Sequence, residues 1–113
     1  MTSIGPRQIP VAVVQFNAKD DKAANIETAM TLIDEAAATG ARLVLLPEVW
    51  TFMGAQDRLG AMSDPIPGDL TGMLANKARE HGIYLHSGTF YERLDRNDRV
   101  CNTAVVFDPA GEI

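Results

Sequence analysis

Strand-sized apolar runs separated by stretches of helical period leave this chain few folds to adopt. Residues 11–16 read VAVVQF, residues 43–46 read LVLL and residues 83–91 read IYLHSGTFY. The first two are short and almost continuously apolar, the pattern of strands buried on both faces of a parallel sheet. Between them Ile26, Met30, Ile33 and Ala37 recur at spacings of four, three and four, which places them on one face of a helix. Asp20 or Asp21 can cap that helix and Gly40 can end it. A second helix is expected from Asp69, with Leu70, Met73, Leu74 and Ala78 as its apolar positions and Gly82 as its stop. After a polar turn at residues 95–98, a fourth strand is expected over residues 100–107. The order β-α-β-α-β-β requires two crossover units, expected to be right-handed, feeding a sheet with an antiparallel addition at its end. The fold class is therefore α/β.

Two segments depart from this regular alternation. Residues 47–68 contain Gly54, Gly60, Pro65 and Pro67 and are too long for a routine strand-to-helix loop, so they are a candidate for function. At the other end, Asp108-Pro109-Ala110-Gly111 has the chemistry of a tight turn, and Glu112-Ile113 reads as the first step of a returning strand. Residues 1–10, with Gly5 and Pro6, read as a loose lead into a domain over 11–113.

Composition excludes several functions. Ten basic against fifteen acidic residues give a net charge of -5, and no Lys/Arg cluster is dense enough to follow a phosphate backbone, so nucleic acid is not an expected partner. No apolar run approaches the roughly 20 residues that cross a bilayer, and no basic segment leads into an apolar stretch at the N-terminus. A cytoplasmic protein without a membrane partner is expected. With Cys101 alone no intrachain disulfide can form, which fits a reducing compartment.

Glu48 is the leading candidate for chemistry. The run at residues 43–46 delivers it to the end of a strand, and in open α/β sheets ligands gather outside the carboxyl ends of strands. Trp50 and Phe52 follow closely and are candidate walls of a substrate pocket. Apolar neighbours of that kind would disfavour the charged carboxylate and make it a better proton acceptor near neutral pH. An ordinary solvated loop carboxylate is the competing reading.

Other candidates are weaker. Cys101 lies inside an expected strand with no helix N-terminus or nearby His to activate it, and reads as a buried, inert thiol. His81 and His86 have no further ligand at metal spacing and read as packing or surface residues, so no metal is expected. The first strand-to-helix turn, Asn17-Ala18-Lys19-Asp20-Asp21, has no glycine and two acids, which argues against a dinucleotide phosphate; no cofactor is expected. Ser87-Gly88-Thr89 within the third strand reads either as a close backbone approach or as a simple kink. The charged residues Arg93, Asp95, Arg96, Asp98 and Arg99 read as a solvated turn.

Taken in order, "VAVVQFNAKDDKAANIETAMTLIDEAAATGARLVLLPEVW", "HGIYLHSGTFYE" and "NTAVVFDPAGEI" resemble the N-terminal part of the nitrilase superfamily of carbon-nitrogen hydrolases, especially its amidase-like branches. The resemblance covers nearly the whole chain from Val11. It implies the N-terminal portion of an α-β-β-α sandwich and a Glu-Lys-Cys triad, in which Glu48 matches the glutamate of the apolar-Pro-Glu motif. Glu48 would then take the proton of a cysteine thiol, which attacks the carbon of a small amide, or of a nitrile or carbamoyl compound; ammonia or an amine leaves, and water hydrolyses the thioester. In such families the lysine follows the Asn-Thr-Ala-Val-Val-Phe strand, a second glutamate lies near it, and the cysteine comes later still; none of the three has a counterpart here. Cys101 matches a non-catalytic position just before Asn102.

The resemblance thus implies an incomplete domain over residues 11–113, inactive by itself for want of nucleophile and cation. One apolar sheet face and a strand edge would be left uncovered, with self-association as the expected result. Family members commonly associate, so a homo-oligomer is expected of the full-length form. A rival reading is a non-catalytic α/β module that pairs with a partner chain, and a flavodoxin-like binding domain is a third, disfavoured by the acidic first turn.

Overall fold

A computed structural model of the chain describes residues 7–94 and 99–113. The turn expected at 95–98 and residues 1–6 of the lead lie outside the described residues. Strands β1 (Val11–Val13), β2 (Leu43–Leu45) and β3 (Tyr84–His86) run parallel in that order, and a short β6 (Val106–Phe107) adds to β3 in the antiparallel sense. Helix α1 (Lys22–Ala38) connects β1 to β2, and helix α3 (Asp69–His81) lies between β2 and β3. Both crossovers and the antiparallel addition match the order read from the sequence.

The register explains which face is core. Ala12 pairs with Val44, Val44 with Leu85 and Leu85 with Phe107, so one row of side chains crosses the sheet on one face. Val44, Leu85 and Phe107 are buried and pack in one cluster with Ala29 and Ile33 of α1 and Leu70, Leu74 and Ala78 of α3. Each Val, Leu, Ile or Phe side chain among them contributes about 1.5–3 kcal/mol when fully buried. Because side chains alternate along a strand, the neighbours of that row point the other way. There Val11 is 50% exposed, Val13 72%, Tyr84 47% and Val106 45%. The expectation that β1 is buried on both faces is therefore corrected: within these residues helices cover one face only.

Helix ends follow local chemistry. Asp21, of the two candidates, caps α1 by accepting from the Ala24 N–H at 3.1 Å. Gly82 ends α3 in the left-handed conformation at φ 62°, where a side chain is disfavoured. Met73, expected on the apolar face of α3, is 39% exposed and points outward.

Two expected strands are each broken in two. The third run divides into β3 and β4 (Phe90–Leu94), and the fourth into β5 (Arg99–Thr103) and β6; β4 and β5 form a separate antiparallel pair. Ser87 links the two breaks, its N–H donating to the Val105 carbonyl and its Oγ accepting from the Val105 N–H, both at 2.9 Å. The expected turn after β6 forms, with Asp108 Oδ1 accepting from the N–H groups of Ala110 and Glu112. Glu112-Ile113 does not continue as a strand. The long connection carries a 3-10 turn (Gln56–Arg58) and a short helix α2 (Leu59–Met62).

Candidate active site

The carboxyl ends of β1, β2 and β3 lie side by side, and the segment after β2 is held there from both neighbours. Leu46 donates its N–H to the His86 carbonyl at 3.1 Å, extending the pairing one residue past β2. Beyond it the chain carries Pro47 and Glu48 out of the sheet and turns sharply at Val49, whose φ is 50°. A β-branched residue in the left-handed region is strained, by about 1–2 kcal/mol. Strain of this kind persists only where surrounding contacts fix the backbone.

Those contacts come largely from Ser87-Gly88-Thr89. The Thr89 N–H donates to the Pro47 carbonyl at 3.2 Å, and Thr89 Oγ1 accepts from the Val49 N–H at 2.8 Å. Gly88, at φ 62°, passes so close that a Cβ there would sit 2.0 Å from the Pro47 carbonyl oxygen and 2.6 Å from that of Leu46. Both readings of this step are seen, a break in the strand and a close backbone approach. The turn is stiffened further by His86, whose Nδ1 accepts from the Gly88 N–H at 3.0 Å.

Trp50 and Phe52 do not form open pocket walls within these residues. Both are wholly buried. The Trp50 indole donates to the Ser87 carbonyl at 2.7 Å and packs edge-on against Phe16. The Arg58 guanidinium lies 4.9 Å above the centre of the Phe52 ring. Past the turn at Val49 the Trp50 ring joins the hydrophobic core, whereas Phe52 is buried apart from that cluster. Glu48 itself is exposed, so the apolar enclosure expected from these two rings is absent here.

Asn25 was not singled out by the sequence, since a lone Asn on an otherwise apolar helix face carries no pattern. It is buried and ties the β1–α1 turn to the segment after Glu48. Its Nδ2 donates to the carbonyls of Lys19 at 2.8 Å and Thr51 at 2.9 Å, and its Oδ1 accepts from the Lys19 N–H. Farther along, Asp64 Oδ2 lies 2.8 Å from Lys22 Nζ, yet the angle gives it no directed hydrogen bond. This is an ion pair by distance alone.

Cys101 is half-buried on β5 opposite Glu92, rather than fully enclosed as expected. His81 closes α3 and faces Asp34 of α1, away from the carboxyl ends of the strands. Its Nε2 is 2.7 Å from Asp34 Oδ1, and Lys77 Nζ is 2.8 Å from the same oxygen. The ligand atoms of Asp34, Glu80 and His81 lie within 4.8 Å of one another, but a metal ion there would have to displace the Lys77 ammonium. Lys77 and His81 hold the Asp34 carboxyl below its ordinary pKa, and Asp34 raises that of Lys77.

Residues 10–113 match the family model described as carbon-nitrogen hydrolase. The chain belongs to this family. A mouse protein named deaminated glutathione amidase is 36% identical over 120 residues, covering 100% of this chain and 36% of its own length. A zebrafish protein named omega-amidase NIT2 is 36% identical over 103 residues, covering 91% of this chain and 36% of its own length. This carbon-nitrogen hydrolase chain therefore spans about a third of the length of the curated relatives it matches. Among solved structures, Saccharomyces cerevisiae Nit3, a member of branch 10 of the nitrilase superfamily, superposes with a TM-score of 0.83 at 29% identity, over 93% of this chain and 41% of Nit3. The Caenorhabditis elegans NitFhit protein shares the fold at a TM-score of 0.80 and 23% identity, over 89% of this chain and 25% of its own. The fold is thus the N-terminal portion of the nitrilase-superfamily sandwich, one helical layer with the sheet it covers.

Proposed function

We propose that this chain is the glutamate-bearing portion of an amidase-type hydrolase that cleaves non-peptide carbon-nitrogen bonds in small amides, with Glu48 as its general base. Nitriles and carbamoyl compounds are the neighbouring substrate classes. The observation that carries the reading is the placement of Glu48 at the carboxyl edge of a parallel sheet, on a backbone turn strained at Val49. Family membership, and relatives named as amidases, support it.

The chemistry asked of Glu48 is removal of a thiol proton so that sulfur can attack the amide carbon, with ammonia leaving and water later opening the thioester. The lysine and cysteine of a Glu-Lys-Cys triad would come from sequence outside these 113 residues, and the chain alone would be inactive. A second layer of the domain would also enclose the exposed Glu48. Trp50 and Phe52 then support the turn from behind rather than touch the substrate. A cytoplasmic homo-oligomer acting on a free small molecule, with no cofactor, nucleic acid or membrane partner, completes the proposal; among the described residues no helix is long and apolar enough to cross a membrane.

The decisive experiment is Glu48→Gln in the complete gene product, followed by mass spectrometry of the acyl-enzyme during turnover of a small aliphatic amide. Acyl-enzyme formation is expected to be abolished while the fold is kept. Formation at the wild-type rate would remove Glu48 from this role. A second reading, a non-catalytic module paired with a partner chain, draws on the uncovered face bearing Val11, Val13, Tyr84 and Val106. It predicts that the complete gene product releases no ammonia from any amide.

A further inference from the structure

From the two hydrogen bonds of Thr89 we infer that this residue is a positioning residue for the carboxylate of Glu48, and that its hydroxyl is the separable part of the device. The inference rests on the proposed role of Glu48 as base. The direction of a Cα–Cβ bond is set by the two peptide planes that meet at that Cα. For Glu48 these planes carry the Pro47 carbonyl on one side and the Val49 N–H on the other. Thr89 holds both: its N–H donates to the first at 3.2 Å and its Oγ1 accepts from the second at 2.8 Å. Thr89, three residues past the end of β3, thereby holds the peptide planes on both sides of the glutamate.

The need for such a clamp is visible in the same turn. Val49 sits at φ 50°, a conformation the chain would leave if nothing held it, and Glu48 would swing with it. Thr89 is itself anchored, because Gly88 lies against the Leu46 and Pro47 carbonyls and its N–H is held by His86 Nδ1. Within these 113 residues Glu48 is exposed, so here the backbone clamp rather than side-chain packing directs it. Thr89 touches neither substrate nor nucleophile in this scheme.

The test uses the complete gene product and a small aliphatic primary amide such as propionamide, with ammonia release and thermal unfolding as readouts. Thr89→Val keeps the shape and removes the acceptor; Thr89→Ser keeps the acceptor and removes the methyl. Thr89→Val is expected to lower kcat about 10- to 100-fold, the scale of a misplacement near 1 Å, with KM within about twofold of wild type and a modest fall in the unfolding midpoint, because the Val49 N–H loses its acceptor. Thr89→Ser is expected to restore kcat to within about threefold of wild type. Thr89→Ala repeats the loss of acceptor if the valine variant does not fold. Wild-type kcat in the valine or alanine variant overturns the inference, as does a serine variant no better than they are. If neither folds, Thr89 serves stability alone and the inference is likewise overturned. Glu48→Gln assayed in parallel separates the two ideas: an active Glu48→Gln removes the base itself, whereas a dead Glu48→Gln beside a fully active Thr89→Val removes only the positioning role.

Discussion

The indole N–H of Trp50 meets the main-chain carbonyl of Ser87 at 2.7 Å, and this bond joins the two of Thr89 in tying the segment after β2 to the break after β3. The two segments are 37 residues apart in sequence, and both are fully buried at this point. Trp50→Phe keeps much of the apolar ring but leaves the Ser87 carbonyl without this donor, which costs about 1–3 kcal/mol for a buried group. A fall of that size is expected in the unfolding free energy measured in urea. A variant as stable as wild type would mean that water or another donor replaces the indole at no loss.

Among the described glycines, Gly88 leaves the least room for a side chain. Adding one methyl places a Cβ 2.0 Å from the Pro47 carbonyl oxygen, and φ is 62°, where a side chain is already disfavoured. Neither contact can relax by rotating a flexible side chain, because the obstructing atoms are backbone. Gly88→Ala is expected to destabilise by more than about 2 kcal/mol and to displace Glu48, lowering any amidase activity together with the thermal midpoint. Unchanged stability and activity would contradict the close approach.

What could be read from the sequence, and what could not, divides along the range of the interactions. Helix α1 with its Asp21 cap, α3 with its Gly82 stop, and the parallel order of β1, β2 and β3 follow from local periodicity and capping chemistry. The division of the last two runs into β3, β4, β5 and β6 depends on Ser87 meeting Val105 and on Gly88 meeting Pro47, contacts between distant segments. Glu48 stands out because a carboxylate after a buried strand is locally odd. Thr89 and Asn25 do not, since each matters only through a partner the sequence cannot name. Trp50 and Phe52 are buried for the same kind of reason: the Ser87 carbonyl that accepts from the Trp50 indole and the Arg58 guanidinium above Phe52 are partners the sequence cannot name.

Val49 offers a test of backbone strain by substitution. In most positions alanine is more stable than glycine by roughly 0.5–1 kcal/mol, because glycine has more freedom to lose on folding. At a φ of 50° the order should reverse, as the Cβ clash of about 1–2 kcal/mol falls on alanine and not on glycine. V49G is therefore expected to be more stable than V49A by about 1 kcal/mol in denaturant unfolding, once the opposing terms are combined. The opposite order would show that Val49 does not hold this conformation in solution.

The ion cluster between α1 and α3 predicts a pH dependence with two limits. Lys77, then His81, lower the pKa of Asp34 from 3.8, so its contribution is present above pH 3.8 and is lost as pH falls through the lower folded value. Asp34 raises the pKa of Lys77 from 10.5, so that contribution is present below pH 10.5 and is lost as pH rises through the higher folded value. Glu80 adds a second carboxylate 3.4 Å from Lys77 Nζ. Since the Asp34 side chain is 46% exposed, solvent screening limits the pair to about 1 kcal/mol or less. Asp34→Asn should lower stability by up to that amount at neutral pH, with the difference shrinking in about 1 M salt. A loss that persisted undiminished at high salt would point to packing rather than charge.

The open face of the sheet makes opposite predictions for the short chain and for the complete gene product. Val13 is 72% exposed and Val106 45% exposed, and they share a row with Leu45 and His86 across all four strands. Exposed apolar rows beside sheet edges favour association. Residues 1–113 purified alone are therefore expected to self-associate in light scattering, and the double substitution Val13→Lys and Val106→Lys should reduce the apparent mass by placing like charges on the contact surface. If a second layer covers this face in the complete gene product, the same two lysines would be buried without partners there, at a cost of several kcal/mol, and should prevent folding. Improvement in the short chain together with loss of the long one is the expected pair of results. A complete gene product that carries both lysines without penalty would show that this face stays open to water, and that the sandwich is not completed here.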